Sequence, residues 1–213
     1  MVAGEGQRRG PRRTWSDRER VLLDELERIF FAEGFAHLNV ADLAARLHIS
    51  RSTLYRLAAG KQELVELVID RMFNRMGKRA RTELAGQTDP VAKVAAYLGA
   101  GTASVRAGSL EFSRDLEANP GTRAVYDRHQ ATGMEVLAGL IEDGARAGGF
   151  RPIPAAMAVE IADAAHARLR NPGVLAALGM THAQAIDGLI SILLYGIASG
   201  ATTAPPRDGR GAG

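Results

Sequence analysis

The sequence predicts an all-α protein, and three observations support that prediction. Apolar residues recur at spacings of three and four along most of the 213 residues, which is the period of a helix buried on one face. Residues that favour helix starts precede these stretches, and Gly or Pro clusters end them. No segment shows the alternation of a half-buried strand, so helices are expected nearly throughout.

The first three helices follow from their caps. Ser16 is followed three residues later by Glu19, which is the pattern of a capping box, and Gly34 is suited to end that helix. Two shorter helices follow, with Asn39 and Ser50 as their expected N-caps. These helices are predicted over residues 16–33, 40–47 and 51–57.

Turn signals divide the rest of the chain. A long periodic stretch comes first and is expected to link two domains. Asp89-Pro90, Gly108-Ser109, Asn119-Pro120-Gly121, Gly148-Gly149 and Asn171-Pro172-Gly173 then separate the later helices. The predicted helices span residues 61–84, 90–106, 109–118, 121–147, 154–169 and 181–199, with a short irregular or helical piece at 173–179.

Composition restricts the function. The chain has no Cys, which excludes disulfides, thiolate metal sites and a cysteine nucleophile. The Gly- and Arg-rich start has no apolar core like that of a signal peptide, and the uncharged stretch 188–206 is apolar only in its first half. A cytoplasmic location is therefore expected. Motifs for a nucleophile elbow, a phosphate-cradling loop or a zinc protease are missing, so neither enzyme activity nor a cofactor is predicted.

Charge is placed unevenly along the chain. Residues 1–79 carry fifteen Lys and Arg against eleven Asp and Glu, whereas residues 80–213 carry twelve against thirteen. The net charges are +4 and −1, which suits a polyanion-binding head on a body with another task. A merely solvated basic surface would give the same numbers.

The helix at 51–57 carries the strongest functional signal. Its stretch from Arg51 to Arg56 is polar and basic apart from Leu54, so this helix makes a poor core element but suits a DNA major groove. The segment from about Asp17 to Leu67 resembles the DNA-binding domain of the TetR (tetracycline-repressor-like) family. The matching pieces, in order, are Ile29-Phe30, Glu33-Gly34-Phe35, Val40-Ala41-Asp42-Leu43-Ala44, Ile49-Ser50, Thr53-Leu54-Tyr55-Arg56 and Lys61-Gln62-Glu63-Leu64. The chain departs from the family at His48, usually Gly, and at Ala58, usually aromatic.

The resemblance implies a domain organisation and a function. It implies a three-helix helix-turn-helix domain over residues 14–60 and a larger helical ligand-binding and dimerisation domain over 61–200. The basic arm 1–13 and the tail 201–213 are predicted to be disordered. Most members of the family repress transcription as homodimers on palindromic operators, and release DNA when a small molecule binds. The alternative is a helical small-molecule-binding protein with a vestigial DNA-binding head.

The resemblance also assigns DNA contacts. Arg51 and Ser52, at the start of the recognition helix, are candidates for base edges, since Arg can contact guanine through two hydrogen bonds. Thr53, Tyr55 and Lys61 match family positions that contact phosphates, and Arg56 suits either role. A packed aromatic is the alternative for Tyr55, and solvated surface is the alternative for the arginines. The flexible arm, with Arg8, Arg9, Arg12 and Arg13, is suited either to a minor groove or to keeping the chain soluble.

The C-terminal half is expected to bind the effector. Helices 90–106, 109–118 and 121–147 should enclose a mainly apolar space, which favours an apolar or aromatic ligand. The candidate lining residues are Tyr97, Phe112, Tyr126, His129, Met134 and His166, with ordinary core packing as the alternative for each. Glu160, Asp163 and His166 turn gradually around one helix and have no partner cluster, so no metal site is predicted.

Helices 154–169 and 181–199 are the expected subunit interface. The last helix is apolar nearly all round from Ile186 to Ala198, which indicates burial on more than one side. In the resembled family, two such helices from each subunit form a four-helix interface. A charged residue at Leu193 is therefore expected to disrupt the dimer. A central core helix of a monomer is the alternative.

Overall fold

The computed structural model of the protein describes residues 14–197. These residues form ten α-helices and no β-strand. The predicted basic arm, with its four arginines, and the predicted tail lie outside the described residues. The helices are α1 Asp17–Glu33, α2 Val40–Arg46, α3 Arg51–Leu57, α4 Lys61–Ala85, α5 Pro90–Ala107, α6 Leu110–Ala118, α7 Pro120–Arg146, α8 Ala155–Leu169, α9 Pro172–Leu178 and α10 His182–Ile197.

The predicted helix ends agree with the structure to within two residues. Ser16 and Glu19 form the predicted capping box on α1, and Asn39 and Ser50 cap α2 and α3. Gly34 ends α1 with a φ of 78°, a left-handed value that Gly adopts without steric cost. The piece predicted as irregular or helical is the helix α9.

Two apolar cores hold the chain together. The first is formed by α1 to α4 with two side chains from α6 and α7, and it includes α4 residues as far as Met72. Ala58, where the family usually has an aromatic residue, is buried in this core. The second core joins α5, α7, α8 and α10 around Val94, Leu137, Ile141 and Leu193. Since α4 contributes to the first core and also packs on α5 and α7, the domain boundary at residue 61 stays a prediction.

A partly exposed ion cluster around the buried Glu27 fixes α4 to α1. Arg71 contacts Asp24 at 2.8 Å, and Arg75 pairs with both Asp24 and the nearly buried Glu27. Burial raises the pKa of Glu27, and the two arginines oppose that rise. The DNA-proximal helix α1 and the long helix α4 are thus held together by charge as well as by apolar packing.

The opposite side of α4 is tied to α7. Asp70 accepts a hydrogen bond from Arg128 at 2.9 Å and lies 2.8 Å from Nε2 of His129. The hydrogen bond with His129 is the largest cause of the lowered pKa of Asp70. The His129 ring also packs on Phe73, with centroids 5.3 Å apart. None of the helices in residues 14–197 combines the length and apolar content needed to cross a membrane.

Candidate DNA-binding surface and effector groove

The turn between α2 and α3 has a left-handed residue where the family usually has Gly. His48 has a φ of 52°. Its N–H donates to the Ala45 carbonyl at 3.1 Å, and the Ile49 N–H donates to the Ala44 carbonyl at 3.0 Å. These two bonds form a Schellman motif, whose left-handed position favours Gly. The His at this position keeps the turn geometry, at some conformational cost.

Helix α3 is anchored by two side chains and exposes the rest. Leu54 and Leu57 are buried in the first core. Arg51 is exposed and makes no hydrogen bond or ion pair within residues 14–197, and Ser52 and Arg56 are also exposed. Tyr55 is 52% exposed, which removes the alternative of a packed aromatic. The outer face of α3 therefore presents polar and basic groups to solvent.

Three hydroxyl groups meet at the start of α3. The Ser50 Oγ accepts from the Thr53 backbone N–H at 3.2 Å. The hydroxyls of Ser52 and Thr53 lie 2.8 Å and 2.9 Å from the same Ser50 oxygen. This arrangement orders the first turn of α3, where side chains would reach base edges or phosphates.

Lys61 holds the loop before α2 in addition to starting α4. Its ammonium donates to the Ala36 carbonyl at 2.7 Å. Gly60 precedes α4 and supplies no side-chain cap, so the first amides of that helix are open to an anion. The structural tie to Ala36 has no signal in the sequence, because it spans 25 positions.

Arg18 is a candidate contact that sequence reasoning missed. A depression of about 210 Å³ lies between the start of α1 and α3 and is lined in part by Ser16, Arg18, Thr53 and Arg56. Folding brings Arg18 beside two predicted DNA contacts from which it is distant in sequence. No local pattern around Arg18 could have indicated this.

Helix α6 is joined by hydrogen bonds to the DNA-binding head, by which we mean α1 to α3 and the loops between them. The Asp115 Oδ2 accepts from the backbone N–H groups of Phe35 and Ala36, at 2.6 Å and 2.7 Å. The Ser109 N–H donates to the Phe31 carbonyl at 2.8 Å. A carboxylate from the larger helical part therefore caps the loop that leads into the helix-turn-helix.

Phe112 is part of the same contact between α6 and the head, and it does not line a ligand pocket. Its ring stacks on Phe31 with centroids 4.5 Å apart and meets Phe35 edge-on at 6.3 Å. It is buried in the first core. The prediction that Phe112 lines the effector pocket is not supported, because its ring packs against Phe31 and Phe35 in the first core.

An open groove of about 560 Å³ lies between α7 and α8. Tyr126 and Met134 are the two predicted effector residues that line it. The space therefore differs in position from the one expected between α5, α6 and α7. We call it the α7–α8 groove; its lining is Arg123, Tyr126, Asp127, Gln130, Ala131, Met134, Glu135, Ala138, Ala156, Val159, Glu160, Asp163, Ala167 and Arg170.

A polar cluster backs this groove. The Tyr126 hydroxyl lies 3.5 Å from Nδ1 of His166, and the Arg170 guanidinium sits 5.0 Å from the centre of the Tyr126 ring. The Gln130 amide lies 3.4 Å from the same His166 nitrogen. Burial, with help from Arg170 and His182, lowers the pKa of His166 to about 4. His166 is therefore neutral at pH 7.

The remaining two predicted effector residues hold helices together. The Tyr97 hydroxyl donates to the Gly133 carbonyl at 2.9 Å and joins α5 to α7. His129 is engaged by Asp70, as described above. Within residues 14–197, no group of three or more His, Asp or Glu side chains is arranged to hold a metal ion.

Apolar side chains are exposed on both α8 and α10. We use the term exposed apolar stripe for Met157 and Ile161 on α8 together with Ile192 and Tyr195 on α10; Ile192 and Tyr195 are 73% and 74% exposed. Leu193, by contrast, is 9% exposed and packs in the second core. The expectation that a charge at Leu193 would disrupt a dimer contact is thus wrong, because Leu193 packs inside its own chain. On the same helix, Ile192 and Tyr195 point to solvent.

Comparisons with known proteins agree with this geometry. Residues 22–68 match the model of the family described as "Bacterial regulatory proteins, tetR family". No curated protein matches the chain. Among solved structures, a transcriptional regulator from Cytophaga hutchinsonii ATCC 33406 has a TM-score of 0.68 at 15% identity, over 86% of this chain and 100% of that one.

Two further solved structures have the same fold. A putative transcriptional regulator from Saccharomonospora viridis, in complex with choline, has a TM-score of 0.67 at 18% identity, over 84% of this chain and 96% of that one. A TetR-family regulator from Agrobacterium tumefaciens has a TM-score of 0.64 at 15% identity, with coverages of 84% and 96%. Residues 22–68 thus match the DNA-binding domain of the TetR family of bacterial regulatory proteins, and the described chain shares the all-helical fold of solved transcriptional regulators.

Proposed function

We propose that the protein is a ligand-responsive, sequence-specific repressor that acts as a homodimer on a palindromic operator in the cytoplasm. The observation that carries the proposal is how α3 is placed in the fold. Two leucines anchor it to the head, and its polar and basic face is exposed. Repression is the sense that the family resemblance implies.

The proposed DNA contacts divide into two kinds. Arg51 and Ser52 read base edges, because they stand at the exposed start of the recognition helix. Thr53, Tyr55 and Lys61 hold phosphates, and Arg56 serves either role. To these we add Arg18 as a phosphate contact, since it lines the same depression as Thr53 and Arg56.

The proposed dimer uses the exposed apolar stripe. A second copy of the chain would cover Met157 and Ile161 on α8 and Ile192 and Tyr195 on α10, which are otherwise left in water. A two-fold axis there would carry two copies of α3 to successive major grooves, roughly 34–36 Å apart. A change in that separation would lower operator affinity.

The proposed effector site is the α7–α8 groove. Met134, Ala138 and Val159 give it apolar surface on which an apolar or aromatic part of a ligand would pack. The solved relative from S. viridis is in complex with choline. Two other proteins of this fold are a ketosteroid transcriptional regulator of Mycobacterium tuberculosis and a fatty acid degradation regulator from Bacillus halodurans. Small-molecule control is therefore a reasonable expectation for this fold.

The proposed coupling runs from α7 to the head. Ligand in the groove would act on α7, which is tied to α4 through Asp70. Helix α6 packs on α7 and holds the Phe35–Ala36 loop through Asp115. Both routes end at elements that position α3, so a ligand that prefers one arrangement would change DNA affinity.

The test is DNA binding by matched variants. Fluorescence anisotropy with the DNA flanking the protein's own gene should show specific binding, and a genomic binding map should identify the operators. Arg51→Ala should weaken cognate binding by about 1–3 kcal/mol and leave random DNA little affected. Lys61→Met should weaken both kinds of DNA and lower the salt slope by about one.

Two controls keep the result interpretable. Arg151→Ala removes an exposed Arg between α7 and α8 and should change neither binding mode. Thermal unfolding of Lys61→Met must be measured in parallel, because Lys61 also holds the Ala36 carbonyl. Wild-type protein that binds every DNA equally would favour the alternative of a small-molecule-binding protein with a vestigial head.

A further inference from the structure

We propose that the α7–α8 groove selects an organic cation that carries an apolar part. This inference rests on the proposed effector-binding function and adds the chemical class of the ligand. Three properties of the groove lead to this inference. Its two arginines are paired with carboxylates, three further carboxylates have no such partner, and the surface between these carboxylates is apolar.

The two arginines of the groove are already paired. Arg123 contacts Glu117 and binds Asp127 at 2.9 Å. Arg170 contacts Glu117 at 3.1 Å and lies over the Tyr126 ring. Glu117 and Asp127 thus neutralise both cations, so neither arginine is available as a strong site for an anionic ligand.

Three further carboxylates line the groove and form no ion pair among the described residues; Glu135 and Glu160 are exposed and Asp163 is half-buried. Asp163 accepts a hydrogen bond from the neutral Gln130 amide at 2.9 Å. Glu135 and Glu160 make no hydrogen bond or ion pair with other residues among 14–197. They come from both walls, since Glu135 is on α7 and the other two are on α8. The groove therefore carries excess negative charge, which attracts cations and repels anions.

The surface between the carboxylates is apolar and roomy. Met134, Ala138 and Val159 pack into or against the second core and face the groove. The volume of about 560 Å³ lies within the usual range for small-molecule sites. An inorganic cation would use only the charge, whereas an amphipathic organic cation would use the charge and the apolar surface together.

The experiment compares three probes with the same hexyl chain on the full-length protein, without DNA. Hexyltrimethylammonium, hexanesulfonate and 1-hexanol share the alkyl chain and differ in charge. Calorimetric titration at low salt should show binding of the cation at least tenfold tighter than of the anion or the alcohol. The cation should also raise the melting temperature, and added salt should weaken it.

Variants locate the binding. Glu135→Gln combined with Glu160→Gln should weaken cation binding at least tenfold, and Asp163→Asn severalfold. Ala131→Trp, which places a large ring in the groove from an exposed position, should abolish binding. Glu142→Gln removes an exposed carboxylate of the same helix α7 that does not line the groove, and should change nothing.

The outcomes separate this inference from the proposed function. Equal binding of cation and anion, no cation binding at millimolar concentration, or wild-type affinity in the double variant would overturn the inference. Operator binding is then measured with and without the cation. If the cation binds the groove but leaves operator affinity unchanged, the inference holds and the ligand-responsive part of the proposed function fails.

Discussion

His48 is the residue whose backbone departs most clearly from what its side chain favours. Its φ of 52° is left-handed, where a residue with a Cβ carries a cost of roughly 1–2 kcal/mol relative to Gly. His48→Gly should therefore raise the free energy of unfolding by up to about 1 kcal/mol, after the larger unfolded-state entropy of Gly is subtracted. His48→Val should lower it by more than about 1 kcal/mol, since β-branched residues rarely adopt this region.

Urea denaturation measures both changes. The control is His37→Gly, at an exposed histidine in the α1–α2 loop whose φ is not positive. There the substitution should be neutral or destabilising. Equal effects of Gly at positions 37 and 48 would show that the left-handed backbone is not the cause.

His166 should make the protein sensitive to mild acid. Its pKa falls from 6.5 to about 4 on folding, mainly through burial, so the unfolded chain binds this proton first as the pH drops. Stability from the neutral His166 is fully present above about pH 6.5 and is lost progressively down to about pH 4. The full loss is on the order of 3 kcal/mol, of which about 2 kcal/mol is reached at pH 5.

The pH dependence can be measured by urea denaturation at pH 7 and pH 5. His166→Gln should reduce the difference in unfolding free energy between the two pH values. His182, whose pKa burial also lowers, should leave a remaining dependence in the variant. An unchanged difference in His166→Gln would mean that His166 is not the group that titrates.

At the scale of elements, α6 is one of the contacts between the C-terminal helices and the DNA-binding head. Asp115→Ala removes the acceptor of two backbone N–H groups, one of them on the buried Phe35. Bonds to a charged acceptor are worth about 1.5–3 kcal/mol, so unfolding free energy should fall by about that amount. Amide exchange at Phe35 and Ala36 should quicken before that of the second core.

Hydrogen exchange followed by mass spectrometry or NMR checks this prediction. The control Asp143→Ala removes an exposed carboxylate of α7 that pairs with Arg146 at the surface. Surface pairs contribute about 0–1 kcal/mol, so that control should have a small effect. Unchanged protection of the Phe35–Ala36 loop in Asp115→Ala would contradict the role given to α6.

At the scale of the whole molecule, the exposed stripe and the buried Leu193 make opposite predictions. Ile192→Asp places a charge on the proposed dimer contact and should yield a folded monomer, with helical circular dichroism retained. Leu193→Asp places a charge in the second core, and should unfold or strongly destabilise the chain. Substitutions at these two neighbouring residues of α10 should therefore distinguish a loss of the dimer from a loss of the fold.

Light scattering with circular dichroism distinguishes these results. Leu178→Asp, at an exposed apolar residue on α9 outside the stripe, should leave both the dimer and the fold intact. A wild-type protein that is monomeric at micromolar concentration would remove the dimer and, with it, the palindromic operator.

The sequence by itself determined the helices and the polar face that α3 exposes. Caps such as Ser16, Asn39 and Ser50 act on amides within three residues, so their effect is readable locally. The exposed face of α3 follows in the same way, because two buried leucines at helical spacing fix which side faces outward. The positive φ of His48 was likewise foreseeable from a Gly preference at that turn.

Tertiary structure alone decided how distant residues meet. Phe112 packs on Phe31, Lys61 binds the Ala36 carbonyl, and Arg18 lines the same depression as Thr53 and Arg56, although these residues are far apart in the sequence. Leu193 and Ile192 are both apolar neighbours, and only the packing of α10 against the second core determines which one is buried. Periodicity indicates that a helix has an apolar face; which element covers that face depends on the packing of the whole chain.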